Sequence, residues 1–214
     1  MSLRGVLYIV WGEAEGLLHR SIDSVRQTNP ALPIKVEWVP KESNLLVKSK
    51  MDRWSPFDTT LYLDADTVVM GDLSYGFESA ERHGLSCCIC ECPHAKRYKQ
   101  MPATVEYNTG VMFWKKSKQT TELFEHWQRS CELDSSIEWF DPDGTHRRME
   151  TNDQGPFSRA VYETGFNPHV LPINWNFRHR WHKSWFGSIK IWHDYDDPRG
   201  QLTERHPMEF FISG

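Results

Sequence analysis

Strand-length apolar runs that recur between helix-length segments constrain this fold most. GVLYIVW at residues 5–11 and TLYL at 60–63 read as buried strands, and strands buried on both faces belong in sheets covered by helices. Between them, GLLHRSIDSVRQT sets Leu17, Leu18, Ile22 and Val25 at a helical period until Asn29 and Pro30 stop it. IKVEWVP predicts a second strand, with Val36 and Trp38 on one face and Lys35 and Glu37 on the other. NLLVKSKMDRWSPFD predicts a helix that ends before Pro56, because proline moves the residue before it out of the helical region. GLSCCICE and YNTGVMFWKK are further strands, and KQTTELFEHWQRSCEL gathers Leu123, Phe124, Trp127 and Cys131 on one helical face. After a loop rich in Asp, Pro and Gly, NDQGPFSRAVYET predicts a helix, with Gly155 and Pro156 near its start where proline costs least. HVLPINWNF and SIKIWHDY complete the set. The alternation carries no internal repeat and predicts an α/β fold with a mostly parallel central sheet flanked by helices.

At 214 residues the chain fits a single domain spanning 1–214, long enough to bury roughly 70% of its unfolded surface. The formal charge of -4, with both signs interspersed, excludes the basic footprint of a nucleic-acid binder. The apolar run Val6 to Trp11 is too short for a transmembrane segment and has no small-residue cleavage site after it. A cytoplasmic protein is expected. Five cysteines, four of them in CCICEC, match no disulfide framework and suit a reducing compartment. Strand alternation accounts for most of these thiols; a zinc site from Cys90, Cys92 and His94 is the alternative.

The stretch TLYLDADTVVMGDL sets Asp64 and Asp66 at the end of a buried strand. In an open α/β sheet, ligands bind outside the carboxyl ends of strands. Residues two apart in extended chain share a side, so both carboxylates reach one cation while Ala65 turns away. Adjacent carboxylates repel unless a positive group shares them. Oxygen ligands suit magnesium or manganese beside a substrate phosphate, and an imidazole from His193, after the apolar IKIW, shifts the preference toward manganese. The alternative is structural: one aspartate caps a turn near Asp72, the other is solvated, and His193 is an ordinary core or surface histidine.

LLVKSKMDRWSPFDTTLYLDADTVVMGDL, YNTGVMFWKK, NDQGPFSRAV, VLPINWNF and IWHDY, in this order over residues 5–197, resemble the glycosyltransferases related to glycogenin and the bacterial lipopolysaccharide galactosyltransferases. These are retaining GT-A enzymes of glycosyltransferase family eight. The resemblance implies one nucleotide-sugar-binding domain that moves a sugar, most simply from a UDP-sugar, to a carbohydrate or glycoconjugate acceptor with retention of configuration. It implies Mn2+, with Mg2+ as the alternative, held by Asp64, Asp66 and His193. It puts Lys50, Asp64, Ala65, Asp66, Asn108 and Gly110 around the donor, and Asp153 and Gln154 beside the reacting carbon as the catalytic pair.

The chemistry asks for such groups. Transfer breaks the bond between anomeric carbon and phosphate, leaving negative charge on the diphosphate and positive charge on the ring. Lys50 offers a cation, Asn108 an amide for sugar hydroxyls, and Gly110 a close backbone approach. Each has a plainer reading: Lys50 as a solvated helix lysine, Asn108 as a turn residue, Asp153 as a helix cap. The aromatic, basic segment 174–187 reads equally as an acceptor groove or a contact for an anionic surface and as the C-terminal edge of the core. The chain departs from the resembled enzymes after His193, where WHDYDDPRG has no diphosphate-binding lysine and only Arg199 nearby. Nor does YIVWGEAEG carry their Thr/Asn-rich nucleotide contact. Two other functions fit such a chain: a noncatalytic nucleotide-sugar or glycan-binding domain, and a sugar-nucleotide nucleotidyltransferase. The second would need a glycine-rich phosphate loop that WGEAEG does not supply.

Overall fold

The computed structural model describes residues 2–90, 95–96, 105–133, 135–140, 143–182, 185, 187–196 and 198. Its strands are β1 (Arg4–Val10), β2 (Ile34–Trp38), β3 (Thr59–Leu63), β4 (Thr67–Val69), β5 (Leu85–Ile89), β6 (Ala95–Lys96), β7 (Tyr107–Lys115), β8 (Ile137–Phe140), β9 (His146–Met149), β10 (His169–Val170) and β11 (Ile191–His193). The helices are α1 (Glu15–Thr28), α2 (Met51–Trp54), α3 (Ser74–His83), α4 (Lys118–Ser130) and α5 (Gln154–Thr164). The central sheet runs β10-β5-β7-β3-β1-β2. Its β1–β2, β1–β3 and β5–β10 pairs are parallel, and β7 runs antiparallel to both neighbours.

Side-chain alternation along the strands builds two cores. Val6, Tyr8 and Val10 of β1 join Leu61 and Leu63 of β3 and Val111 and Phe113 of β7 on one face, covered by Leu18, Ile22 and Val25 of α1 and Phe77 and Ala80 of α3. Leu7 and Ile9, with Tyr62, Met112 and Trp114, line the other face under Leu123, Phe124 and Trp127 of α4 and Phe157 and Ala160 of α5. This is the three-layer α/β arrangement that the continuous apolar runs require. Ser117 starts α4 with a capping box, exchanging hydrogen bonds with Thr120.

Outside the sheet, β4 and β11 form an antiparallel ribbon in which Thr67 faces His193, Val68 faces Trp192 and Val69 faces Ile191. Phe177 extends this ribbon as an isolated bridge to Trp192. Val68, Phe177, Ile189 and Trp192 make a third small core beneath it.

Several elements depart from the sequence expectation. Residues 45–54 are not one α-helix: Leu45–Lys50 is a 3-10 turn whose first N–H groups Asn44 caps, and only Met51–Trp54 is α-helical. Trp38, the last residue of the edge strand β2, is exposed although Val36 packs on the core. HVLPINWNF contributes only the two-residue β10 and a 3-10 turn, Ile173–Trp175. In the β8–β9 hairpin, β9 presents no buried face, with His146, Arg147, Arg148 and Met149 all exposed, whereas Ile137 of β8 is buried. Cys87 and Cys88 are buried strand thiols; Cys92 and His94, proposed with Cys90 for zinc, lie outside the described residues, as does Arg199.

Candidate active site

Chain register brings the site together. Asp64 follows the last residue of β3, and its N–H donates to the Gly110 carbonyl at 2.8 Å, continuing the Leu63–Val111 pairing. Asp66 immediately precedes β4. Because Thr67 pairs with His193, the antiparallel ribbon sets His193 beside Asp66, and the Asp194 N–H closes onto the Asp66 carbonyl at 3.1 Å. His193 Nε2 lies 3.4 Å from Asp66 Oδ1 and 3.7 Å from Asp64 Oδ2. One ligand atom from each of Asp64, Asp66 and His193 falls within 4.8 Å of the others, a grouping able to hold a metal ion.

A second constellation lies below. Lys48, 2% exposed, reaches from the 3-10 turn and donates to Asp64 Oδ1 at 3.2 Å and to Asp153 Oδ2 at 3.1 Å. Its ammonium also sits 5.6 Å from the centre of the Tyr62 ring. Burial alone would discharge this lysine, but Asp153 and Asp64 outweigh burial and lift it above its ordinary value. The Tyr62 hydroxyl donates to Asp64 Oδ1 at 2.6 Å, and the Thr109 hydroxyl donates to Asp153 Oδ2. Burial, then the Asp64 charge, keeps the Tyr62 phenol protonated far above its usual range.

The charges explain why a cation fits. Asp64, Asp66 and Asp153 bring three acidic side chains around the Lys48 ammonium, an arrangement that favours a further cation. Burial opposes a charged imidazole, but Asp66 and then Asp64 raise His193 above its ordinary value. Burial likewise opposes charge on Asp66, and the adjacent His193 holds its carboxyl down at about 2. A divalent ion supplies the same charge without a proton. Gly110 leaves the room: a Cβ there would stand 2.3 Å from His193 Cε1 and 2.6 Å from Asp64 Oδ2.

A cleft of about 250 Å³ adjoins the carboxylates, lined by Ile9 and Val10 of β1, Trp11, Ala14, Leu17, Leu45, Asp64, Ala65, Asp66 and Tyr195. Tyr195, 72% exposed, is held there because Arg20 of α1 donates to its carbonyl at 2.9 Å and to that of Asp194 at 3.0 Å. The negative charge of Asp66, then burial, raises its phenol above the ordinary value.

Of the residues singled out from the sequence, Asp64, Ala65, Asp66, Gly110 and His193 converge here. Asn108 is buried at the site, but its Oδ1 accepts the Gly110 N–H at 2.9 Å, a local backbone contact. Asp153 stands at the helix-cap position of α5 without capping it; its carboxylate turns instead to Lys48 and Thr109, and it is 2% exposed. Gln154 is half-buried, with Nε2 donating to Glu106 Oε1 at 2.9 Å. Lys50 is not among the gathered side chains. It is exposed, and the basic group in the site is Lys48, two residues earlier.

Sequence reading missed Lys48, Tyr62, Glu106, Thr109, Asn176 and Tyr195. A signal existed for Lys48, which shares the inward side of its turn with buried Met51 three residues on. The segment 174–187 is partly core: Trp175, Asn176 and Phe177 are buried, whereas His179 and Arg180 are exposed.

No curated protein matches the sequence. The described helices include none long and apolar enough to cross a membrane. Among solved structures, an active-site mutant of LgtC aligns at TM-score 0.55 and 14% identity, over 90% of this chain and 88% of its own. Mouse xyloside xylosyltransferase 1 aligns at 0.57 and 15%, over 89% and 97%. The glycosyltransferase GlyE of Streptococcus pneumoniae TIGR4 aligns at 0.63 and 15%, over 96% of this chain and 57% of its own. At these identities the likeness is one of fold, the GT-A fold expected from the sequence. The family sequence model described as nucleotide-diphospho-sugar transferase matches residues 53–188, well over half the chain, and its span takes in Asp64, Asp66, Gly110 and Asp153. The chain therefore belongs to the nucleotide-diphospho-sugar transferase family and is a glycosyltransferase of GT-A fold.

Proposed function

We propose that this protein acts as one domain that transfers a hexosyl group from a UDP-sugar to a carbohydrate or glycoconjugate acceptor, with retention of configuration, in the cytoplasm. The observation that carries the reading is the Asp64, Asp66 and His193 cluster at the strand ends, open to the cleft between β1 and Tyr195. The donor set of two carboxylates and one imidazole suits Mn2+ ahead of Mg2+. When bound, such an ion supplies Lewis-acid stabilisation to the departing diphosphate.

The chain's own residues supply the rest. Asp64 and Asp66 present oxygens, and His193 presents Nε2, at a position kept clear by Gly110. Lys48 holds Asp64 and Asp153 in place from beneath; at 2% exposure it acts through them and not on the donor. Asp153 is thereby a positioning residue. Gln154, with its amide N–H directed to Glu106, has its carbonyl oxygen available to face the positive charge that grows on the sugar ring. The solved LgtC active-site mutant replaces a glutamine with glutamate, which is consistent with this role. Trp11, Leu17, Leu45 and Tyr195 offer an apolar, aromatic wall for the nucleoside.

A thermal-shift screen of UDP, GDP, ADP and CDP with Mn2+, Mg2+ or EDTA tests the reading. UDP with Mn2+ should raise Tm by about 5–10 °C near 100 times Kd, and EDTA should remove the rise. No shift with any nucleotide would overturn the donor assignment. Turnover of a UDP-sugar panel then reads the sugar, and the anomer of the product reads retention.

A further inference from the structure

We propose that Asn176 is the positioning residue of the metal centre, holding His193 in the one ring orientation and tautomer that leaves Nε2 free to ligate. The proposal rests on the metal reading above. Asn176 is 1% exposed and His193 7%, and Asn176 Oδ1 stands 2.7 Å from His193 Nδ1. An amide oxygen only accepts, so Nδ1 carries the hydrogen. A neutral imidazole has one N–H, and with Nδ1 protonated the lone pair is on Nε2, the nitrogen turned to Asp66 and Asp64.

Backbone pairing makes this contact obligatory. The Phe177 N–H donates to the Ile191 carbonyl and the His193 N–H donates to the Phe177 carbonyl, each at 2.8 Å, so Asn176 is locked one residue before the Phe177 bridge that flanks His193. On the ring's other side, the Gly110 backbone comes so close that an added Cβ would lie 2.3 Å from Cε1, which confines the ring. The Asn176 Nδ2 is buried and has no hydrogen-bond partner among the described residues. Reversing the amide would turn that N–H onto Nδ1, require a bare Nδ1, and put the hydrogen on Nε2, where it blocks ligation. The amide orientation and the metal site are therefore coupled, as outer hydrogen bonds to ligating histidines generally are.

Mn2+ titration followed by electron paramagnetic resonance tests this on three proteins. Asn176→Leu keeps the volume and removes the acceptor, and should weaken Mn2+ binding about 10–100-fold; Asn176→Asp restores an acceptor and should stay within about threefold of the wild type. Equal affinity of the Leu variant and the wild type would overturn the proposal. So would an Asp variant as weak as the Leu variant, which would make Asn176 a packing residue. A measurement on the unaltered, metal-free protein needs no folded variant: long-range 1H–15N spectra recorded on the alkaline side of the His193 titration, where its imidazole has become neutral, should show His193 protonated at Nδ1. Protonation at Nε2 there would overturn it. Absence of Mn2+ binding by the wild type would instead sink the metal reading itself, whatever the tautomer.

Discussion

Lys48 and Lys50 show how a two-residue difference decides a role. Both lie in VKSK, equally basic and equally close to the Asp-Ala-Asp motif, yet one is sealed between Asp64 and Asp153 and the other is in solvent. Removing the buried cation strands two carboxylates, so Lys48→Met should cost about 3–5 kcal/mol and lower Tm on the order of 10 °C, whereas Lys50→Met should leave Tm unchanged by calorimetry. Asp66→Asn behaves differently. That side chain is half-buried and pairs with His193, while the ion pairs of Lys48 run to Asp64 and Asp153, so the fold should persist within a few degrees while the Mn2+-dependent UDP shift disappears; a collapsed transition would make Asp66 a structural residue. Gly110→Ala should combine both effects, since its Cβ would press on His193 and on Asp64. The Asp-x-Asp pair and His193 were legible because acid next to a buried strand is anomalous. Asn176 was not legible, because an asparagine between Trp175 and Phe177 reads as a loop until its partner 17 residues away is known.

At the level of elements, β1, β3 and β7, each flanked on both sides, are buried along nearly their whole length as their apolar runs require, whereas the pattern fails at the β2 edge. The pattern of β2 places Trp38 with Val36, but only Val36 finds a covering layer. Trp38→Gln should therefore change stability by under about 0.5 kcal/mol, the range of an ordinary surface position. Trp192→Ala should cost about 3–5 kcal/mol by opening the small core under the β4–β11 ribbon. The ribbon also carries His193, so the same variant should weaken Mn2+ binding in the resonance titration while Trp38→Gln should not. The 3-10 turn at 45–50 could not be told from an α-helix by apolar spacing alone, since positions three apart share a side in both.

For the whole molecule, burial sets an alkaline limit on stability. Burial alone pushes the Cys87 thiol far above its ordinary value of 9.0, and burial, opposed by a Ser49 hydrogen bond, moves Cys131 up to about 11. The unfolded chain releases both protons above pH 9 while the folded chain keeps them, so stability falls as pH rises from there. Melting curves should show Tm dropping between about pH 9 and 10.5, and less steeply in Cys87→Ala, at up to about 1.4 kcal/mol per pH unit for each thiol held neutral. By itself the sequence determined the layered α/β class and the location of the Asp64 and Asp66 carboxylates at a strand end. Runs of apolar residues fix which strands must be covered, and a charged pair at the end of such a run has nowhere else to go. Tertiary structure decided which lysine enters the site, that Asp153 faces inward to Lys48 instead of capping α5, and that Asn176 meets His193. Those contacts depend on the register of strands and turns far apart in the chain, and register is set by packing of the whole, which no local pattern of residues contains.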